Sequence, residues 1–132
     1  MNGVYEAFFS ALSGDEALQT LLGGSAADKK VYPITFTGRS ALPAIRIAIV
    51  SGSSDLGLQI DRPIVDVLIS SNNTATEVNN IGTAVDAVLN RERLSGPNGT
   101  VLHAVWKLAQ RDDYDPNVLE YRRVIRYTVI KT

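Results

Sequence analysis

The sequence predicts an α+β domain in which helices pack on one face of a mostly antiparallel sheet. Three observations indicate this fold. Apolar residues recur at helical spacing in the N-terminal and central parts of the chain, they alternate at strand spacing elsewhere, and the elements follow the order helices, two strands, helix, two strands. Short connections inside each strand pair favour hairpins. We expect four main strands, a short extra strand, and a single domain over residues 1–132.

Two helices are predicted at the N-terminus. Apolar side chains over residues 3–13 recur at positions that share one helical stripe: Val4, Ala7, Phe8, Ala11 and Leu12. The first helix is therefore amphipathic, and its stripe is expected to be buried. Ser13 and Glu16 have the spacing of a capping box, and a cluster of leucines precedes Gly23-Gly24. This pattern predicts a second, shorter helix that ends at the glycines.

The first strand pair follows these helices. Residues 31–33 are predicted as a brief strand and residues 35–42 as an exposed loop. The clearest strand begins after Pro43, where isoleucines alternate with other residues: Ile45, Ile47 and Ile49. A turn-forming segment over residues 51–57 separates this strand from the next one, at residues 63–69. We expect a hairpin with a long tip.

The main helix is predicted after a capping box formed by Thr74 and Glu77. Its apolar residues follow at helical spacing: Val78, Ile81, Val85, Val88 and Leu89. The basic residues Arg91 and Arg93 indicate its C-terminal turn, because cations there interact favourably with the helix dipole.

The second strand pair occupies the C-terminal part of the chain. A break at residues 95–99 is followed by a strand over residues 101–109, in which the side chains alternate between two faces. A charged loop over residues 111–117 leads into the last strand, residues 118–130.

Composition excludes several classes of function. The 132 residues include 13 basic and 14 acidic ones, so no net charge draws the protein to nucleic acid or to an anionic membrane. The chain has no cysteine, which excludes disulfides, thiolate nucleophiles and thiolate metal sites and favours the cytosol. Neither a secretory signal nor a membrane-length apolar stretch is present, so we expect a protein that is neither secreted nor embedded in a membrane.

No residue pattern indicates catalysis, a metal or a cofactor. His103 is the only histidine and lies in an alternating strand, which favours an ordinary strand residue. Asp112, Asp113 and Asp115 lack the glycine and closing glutamate of a calcium loop and are read as a solvated acidic turn. The glycines of residues 52–57 lack a phosphate-binding lysine and join strand to strand. We therefore predict a protein that is not an enzyme and holds no cofactor.

The last strand mixes basic and aromatic residues, which in some sheets bind nucleic acid. They are Tyr121, Arg122, Arg123, Arg126, Tyr127 and Lys131. Because alternate residues of a strand face opposite sides, Arg122 and Arg126 are separated from Arg123. Cross-strand pairing or a protein contact is therefore favoured over nucleic-acid binding, which stays open as an alternative. An antiparallel sheet with open edges also permits assembly with copies of itself.

The order of several short segments adds a family resemblance. These are residues 15–24, with Leu21-Leu22-Gly23-Gly24, then Lys30-Val31-Tyr32-Pro33, then Leu42-Pro43-Ala44-Ile45-Arg46-Ile47, and finally Glu120 to Tyr127. In this order and spacing the chain resembles the tail terminator, or tail-completion, proteins of long-tailed bacteriophages and prophages. The resemblance covers nearly the whole chain. The long connection over residues 52–62 departs from the family pattern.

The resemblance implies a structural subunit of a six-membered ring of identical chains. Such a ring caps the head-proximal end of the tail tube, stops tube polymerisation and offers a docking surface to the head-side connector. Its partners are other copies of itself, the tail tube protein and the connector, while genomic DNA passes through without sequence-specific binding. Its location is the virion, after assembly in the cytoplasm of the host bacterium, with no cofactor and no membrane.

Three loops are the expected contact regions if the resemblance holds: residues 35–42, 51–61 and 110–117. The candidate contact residues in them are Thr37, Arg39, Ser53, Asp55, Leu56, Leu58, Arg111, Asp112, Asp113 and Tyr114. Two alternatives remain open from the sequence. One is another head–tail connector or neck protein, and the other is an α+β module that binds a small ligand or nucleic acid.

Overall fold

The structure is a computed structural model that describes residues 3–25, 28–34, 42–55, 60–97 and 99–131, without the side chains of residues 51–55, 60–62 and 131. These residues form an α+β fold, as predicted. Its helices are α1 (Val4–Ser13), α2 (Glu16–Leu22) and α3 (Ala75–Leu89). Its strands are β1 (Val31–Pro33), β2 (Ala44–Asp55), β3 (Ile60–Ser71), β4 (Leu94–Ser95), β5 (Val101–Asp115) and β6 (Glu120–Lys131).

The strands form one six-stranded mixed sheet in the order β1-β2-β3-β6-β5-β4. Strand β1 runs parallel to β2, and every other neighbouring pair is antiparallel. The predicted sheet of four main antiparallel strands and one short strand is therefore wrong in detail. Two residues at β4 are too few to show a period, and the three residues of β1 carry no signal for their direction.

The hydrophobic core lies between the helices and one face of the sheet. Helix α1 contacts β1, β2 and β4, whereas α3 contacts β3, β5 and β6. Alternate strand residues are buried against these helices: Ile45, Ile47, Val65, Val67, Ile69, Val105, Ile125, Tyr127 and Val129. The helices contribute Val4, Phe8, Leu12, Leu18, Ile81, Val85 and Leu89. Their burial explains both the helical and the alternating pattern in the sequence.

Helix α2 begins differently from the prediction. The carboxylate of Asp15 accepts a hydrogen bond from the backbone N–H of Leu18 at 2.9 Å, so Asp15 is the N-cap. The predicted capping box at Ser13 is wrong because α1 continues to Ser13, and Gly14 closes it by donating to the Ser10 carbonyl at 3.0 Å. The predicted end of α2 is correct, since Gly23 adopts φ 71° there.

Helix α3 begins as predicted and ends earlier. The hydroxyl of Thr74 accepts from the backbone N–H of Glu77 at 3.1 Å, while the Glu77 carboxylate accepts from the hydroxyl of Ser71 at 2.6 Å. The helix ends at Leu89, so the predicted C-terminal turn at Arg91 and Arg93 is wrong. Arg91 and Arg93 belong to the connection that leads from α3 to β4.

Two predicted loops are largely strand. Strand β2 continues to Asp55 and pairs with β3 from Ile60 onward, past a bulge after Ile49. Strand β5 continues to Asp115, which is paired with Glu120 of β6. Turn-forming and charged residues mark a loop only statistically, and here ladder hydrogen bonds to the neighbouring strand hold them in extended conformation.

We expect Thr74→Ala to lower the free energy of unfolding by about 1 kcal/mol, because it removes the acceptor that caps α3. Chemical denaturation followed by circular dichroism would measure the change. The matched control is Thr76→Ala, an exposed threonine in the first turn of the same helix, for which no loss is expected. Equal losses at the two positions would contradict the cap.

Candidate protein interface

The second face of the sheet is not covered by the described helices. It is formed by the alternate residues of β2, β3, β6 and β5, whose neighbours along each strand point into the core. These outward residues include Arg46, Asp66, Leu68, Ser70, Arg111, Asp113, Arg122, Val124 and Arg126. We call this surface the open face. It combines charged residues with half-buried aliphatic ones such as Leu68 and Val124.

Ion pairs connect neighbouring strands across the open face. Arg126 donates two hydrogen bonds to Asp66 at 2.8 and 3.0 Å, joining β6 to β3. Arg122 donates to Asp115 at 2.9 Å and to Glu120 at 3.1 Å. The hydrogen bonds that Arg126 donates to Asp66 raise the pKa of Arg126 above its usual range. Both guanidinium groups are therefore engaged within the sheet.

A groove lies on the open face at the end of the sheet where β2 begins and β3 ends. Its volume is about 320 Å³. Half of its eight lining residues are apolar: Ile34, Leu42, Ala44 and Leu68. Its polar residues are Arg46, Ser70, Glu120 and Arg122. We call it the strand-end groove. A second hollow, of about 270 Å³, lies nearer to β5, between Asp66, Arg111 and Arg126.

The turn that joins β5 to β6 exposes two aliphatic side chains. Val118 is 54% and Leu119 is 62% exposed, and Leu119 adopts φ 55°, which is uncommon for a residue with a branched side chain. The backbone N–H of Asn117 donates to the Asp115 carboxylate at 2.9 Å, which closes a local turn. We call residues 116–119 the hairpin tip. The hairpin tip therefore presents two adjacent apolar side chains to solvent.

Side-chain contacts on the helix side hold the base of this hairpin. Buried Arg123 donates to both carboxylate oxygens of Asp112, at 2.7 and 3.1 Å, and to the side chain of Asn79 at 3.3 Å. A Cβ at Gly82 would lie 2.6 Å from the Arg123 guanidinium, so glycine leaves the space that Arg123 occupies against α3. Nearby, the rings of Tyr114 and Tyr121 lie 4.7 Å apart. The hairpin is therefore fixed to the helix layer.

The charge of Arg123 changes the acidity of its partner. Its hydrogen bonds hold the pKa of the Asp112 carboxyl below the usual range, against the opposing effect of partial burial. The Asp112 side chain is 59% exposed, whereas that of Arg123 is 10% exposed. Solvent screens the carboxylate, but the buried guanidinium depends on it for a partner.

A second network joins β5 and β6 to α3. Buried Tyr127 donates to Asp86 at 2.5 Å, and the Lys107 ammonium donates to the other oxygen of Asp86 at 2.9 Å. Burial, followed by the hydrogen bond to Asp86, raises the pKa of Tyr127 far above its usual range. The carboxylate is thus held between two donors, which stabilises packing and leaves it poorly placed to act on a substrate.

The predicted contact residues are distributed differently from what the sequence suggested. Thr37, Arg39, Leu56 and Leu58 lie outside the described residues. Ser53 and Asp55 lie in β2, opposite Arg62 and Ile60 of β3, rather than in a loop. Whether these six residues contact a partner stays a prediction.

The remaining four predicted residues, Arg111 to Tyr114, are exposed as expected but belong to β5 rather than to a loop. Because they alternate along a strand, Arg111 and Asp113 lie on the open face, whereas Asp112 and Tyr114 face the helix layer. Sequence reasoning therefore grouped residues that the strand separates. The acidic residues read as a solvated turn are instead strand residues.

Sequence reasoning missed the apolar hairpin tip. Val118 and Leu119 were assigned to the last strand because apolar residues there extend the alternating pattern. The predicted loop over residues 111–117 includes Asp115-Pro116-Asn117, which initiates the turn, but the turn extends two residues further, to Leu119.

The described part of the chain shows neither a metal-binding cluster nor a membrane-spanning helix. It contains no cluster of at least three histidine or acidic residues that could hold a metal ion. None of its helices has the length and apolar character needed to cross a membrane. His103, considered above as a site residue, lies exposed on β5.

Comparisons with known proteins identify the fold. No family model and no curated protein matches the chain. Among solved structures, a chain from "Virion of native gene transfer agent (GTA) particle" matches with a TM-score of 0.79 and 16% identity, covering 98% of this chain and 94% of its own. Another solved chain matches with a TM-score of 0.58 and 13% identity, covering 96% of this chain and 91% of its own. These likenesses establish a shared fold over nearly the whole chain.

We expect Asp112→Asn to lower the free energy of unfolding by about 1 to 2 kcal/mol near neutral pH, since buried Arg123 loses its charged partner. The folded-state pKa of Asp112 is depressed, so its stabilisation is complete above the unfolded pKa of about 3.9 and is lost as the pH falls through the lower folded value. Urea titrations from pH 7 to pH 2.5 would measure the difference. Asp113→Asn is the control, and a difference from wild type that does not shrink as the pH falls below the unfolded pKa would contradict this assignment.

Proposed function

We propose that this chain is a structural subunit of a phage-like virion, and specifically a tail terminator that assembles as a six-membered ring. The observation that carries the proposal is the shared fold with a chain of a gene transfer agent virion, over 98% of the present chain. The order of motifs that resembles the tail terminator family supports the finer assignment. In that role the chain would cap the head-proximal end of the tail tube and present a docking surface to the head-side connector.

The shape of the described surface suits an assembly subunit. One sheet face is buried by helices, which gives a rigid scaffold, while the open face and the hairpin tip remain available for contacts. The tip and the strand-end groove are different surfaces of one chain. Contacts between unlike surfaces are heterologous, and they close into rings when the rotation between copies permits it.

The charges of the open face suit a subunit near a DNA channel. Its described residues include four arginines, at positions 46, 111, 122 and 126, and four carboxylates, at positions 66, 113, 115 and 120. A surplus of cations would bind the phosphates of passing DNA and release counterions. A balanced set does not retain a polyanion, which agrees with passage of DNA without specific binding.

The nucleic-acid-binding alternative has less support. Arg122, Arg123 and Arg126 each donate to carboxylates, so a phosphate contact would first have to displace an ion pair. The tyrosines of the same strand are also occupied, because Tyr127 is buried and Tyr121 lies against Tyr114. Stacking of bases needs exposed aromatic faces in a row.

The test adds the purified chain to the tail tube protein from the same genome while the tube polymerises. Electron microscopy of stained samples measures tube lengths and the ends of tubes. We expect tubes of shortened, narrow length distribution, with a ring at one end. Phe8→Asp, which places a charge in the core, is the non-folding control and should leave the length distribution as in the absence of the chain.

The same mixture distinguishes a tail terminator from a head-side connector. A head-side connector would leave tube lengths unchanged and would bind only to tubes that already carry a terminator. A chain that neither binds tubes nor changes their length would contradict the tail terminator proposal.

A further inference from the structure

The hairpin tip is suited to insertion into a hollow on another chain. Its two aliphatic side chains, Val118 and Leu119, are more than half exposed, and they lie in the turn that joins β5 to β6, just beyond the last pairing of β6 with β3 at Tyr121. The hydrogen bonds that Arg122 donates to Asp115 and Glu120 hold the two strands together immediately behind the tip. The tip is therefore both apolar and fixed in position.

The strand-end groove has matching size and chemistry. Loss of one core leucine leaves a cavity on the order of 150 Å³ in a protein interior. The groove, of about 320 Å³, therefore has room for a valine and a leucine side chain. Its four apolar lining residues offer the kind of surface that such side chains leave water to contact, beside four polar ones.

The positions of the tip and the groove suit a contact between successive copies. Both lie at the end of the sheet where β2 and β6 begin and β3 and β5 end. The groove extends from β2 across β3 to Glu120 and Arg122 at the start of β6, and the tip follows on the β5 side of these residues. Copies arranged side by side with the same orientation would bring the tip of one to the level of the groove of the next.

Charges near the two surfaces are complementary. Arg46 lines the groove and has no carboxylate partner among the described residues. Asp113 lies on the open face of the hairpin next to the tip, and its carboxylate accepts only the backbone N–H of its neighbour, Tyr114, within that part of the chain. A second copy would therefore offer each of these charges a partner.

We infer that the hairpin tip of one copy inserts into the strand-end groove of the next, with Val118 and Leu119 in the groove and Asp113 paired with Arg46. The contact rests on the proposed function, since it builds the ring. Its occupant is a second copy of this chain. It is heterologous, so each copy uses its tip once and its groove once.

Substitutions at the tip test the apolar part of the contact. Leu119→Asn keeps a residue that tolerates positive φ, so the turn should remain folded. Burial of one leucine corresponds to about a tenfold to hundredfold change in association, and we expect a weakening of that size in sedimentation or light scattering. Leu108→Asn is the matched control, because Leu108 is a 54% exposed leucine of β5 outside the tip. Equal effects of the two substitutions would overturn the inference.

Charge reversal tests the polar part. Asp113→Arg and Arg46→Glu should each weaken association, and the double variant should recover it, because the reversed charges can pair again between copies. Circular dichroism would verify that each variant is folded. Single variants that associate like wild type, or a double variant without recovery, would contradict the pairing of Asp113 with Arg46.

Disulfide trapping tests the geometry directly, since the natural chain has no cysteine. A chain carrying both Leu119→Cys and Leu68→Cys, two positions too far apart to cross-link within one chain, should give, under mild oxidation, a ladder of cross-linked chains that ends in a closed species. The control pair Leu119→Cys and Glu92→Cys, with Glu92 exposed near the β4 edge, should give at least about tenfold less product.

The outcomes separate this contact from the proposed function. A ladder with the groove pair supports the inference. Rings or tube caps that form without cross-linking of that pair would overturn the inference while the proposed function stands. Neither oligomers nor tube caps, together with no cross-linking, would overturn both.

Discussion

Coverage of only one sheet face is the constraint on which the rest of this structure depends. The amphipathic helices α1 and α3 bury alternate residues of the central strands, and burial of each valine, isoleucine or leucine contributes about 1.5 to 3 kcal/mol. The alternation leaves the intervening residues on the open face, where the described part of the chain supplies no second layer. A sheet of this kind keeps its shape through its helices and leaves a broad surface for contacts with other chains.

Charged residues of β5 and β6 form stabilising contacts on both faces of the sheet. Arg123 turns toward the helices and fixes the hairpin base through Asp112 and Asn79, in space that Gly82 leaves beside α3. Arg122 and Arg126, with the opposite parity, join strands across the open face. The mixture of arginines and tyrosines that could suggest nucleic-acid binding is thus explained by cross-strand and sheet-to-helix pairing, which rigidifies the hairpin behind its apolar tip.

Sequence patterns predicted the features that follow from local periodicity. They missed the features that depend on pairing with strands distant in sequence. The stripe of α1, the cap at Thr74 and the alternation at Ile45, Ile47 and Ile49 are local properties, and the structure confirms them. Strand β4, the parallel direction of β1 and the full lengths of β2 and β5 depend on hydrogen bonds to strands distant in sequence. The sequence predicted only part of the candidate interface, namely Arg111 and Asp113. The tip at Val118 and Leu119 and the groove at Leu68 become visible only when the register of the paired strands is known.

We propose that this fold forms a ring at the head-proximal junction of a phage-like tail. The most direct measurement is an electron cryomicroscopy map of particles produced by the genome that encodes the chain, with the chain located by its own density. We expect one ring of six copies at the head-proximal end of the tail tube, with its subunits in contact around a central channel. Particles that lack the chain, or that carry it elsewhere than at this junction, would contradict the claim.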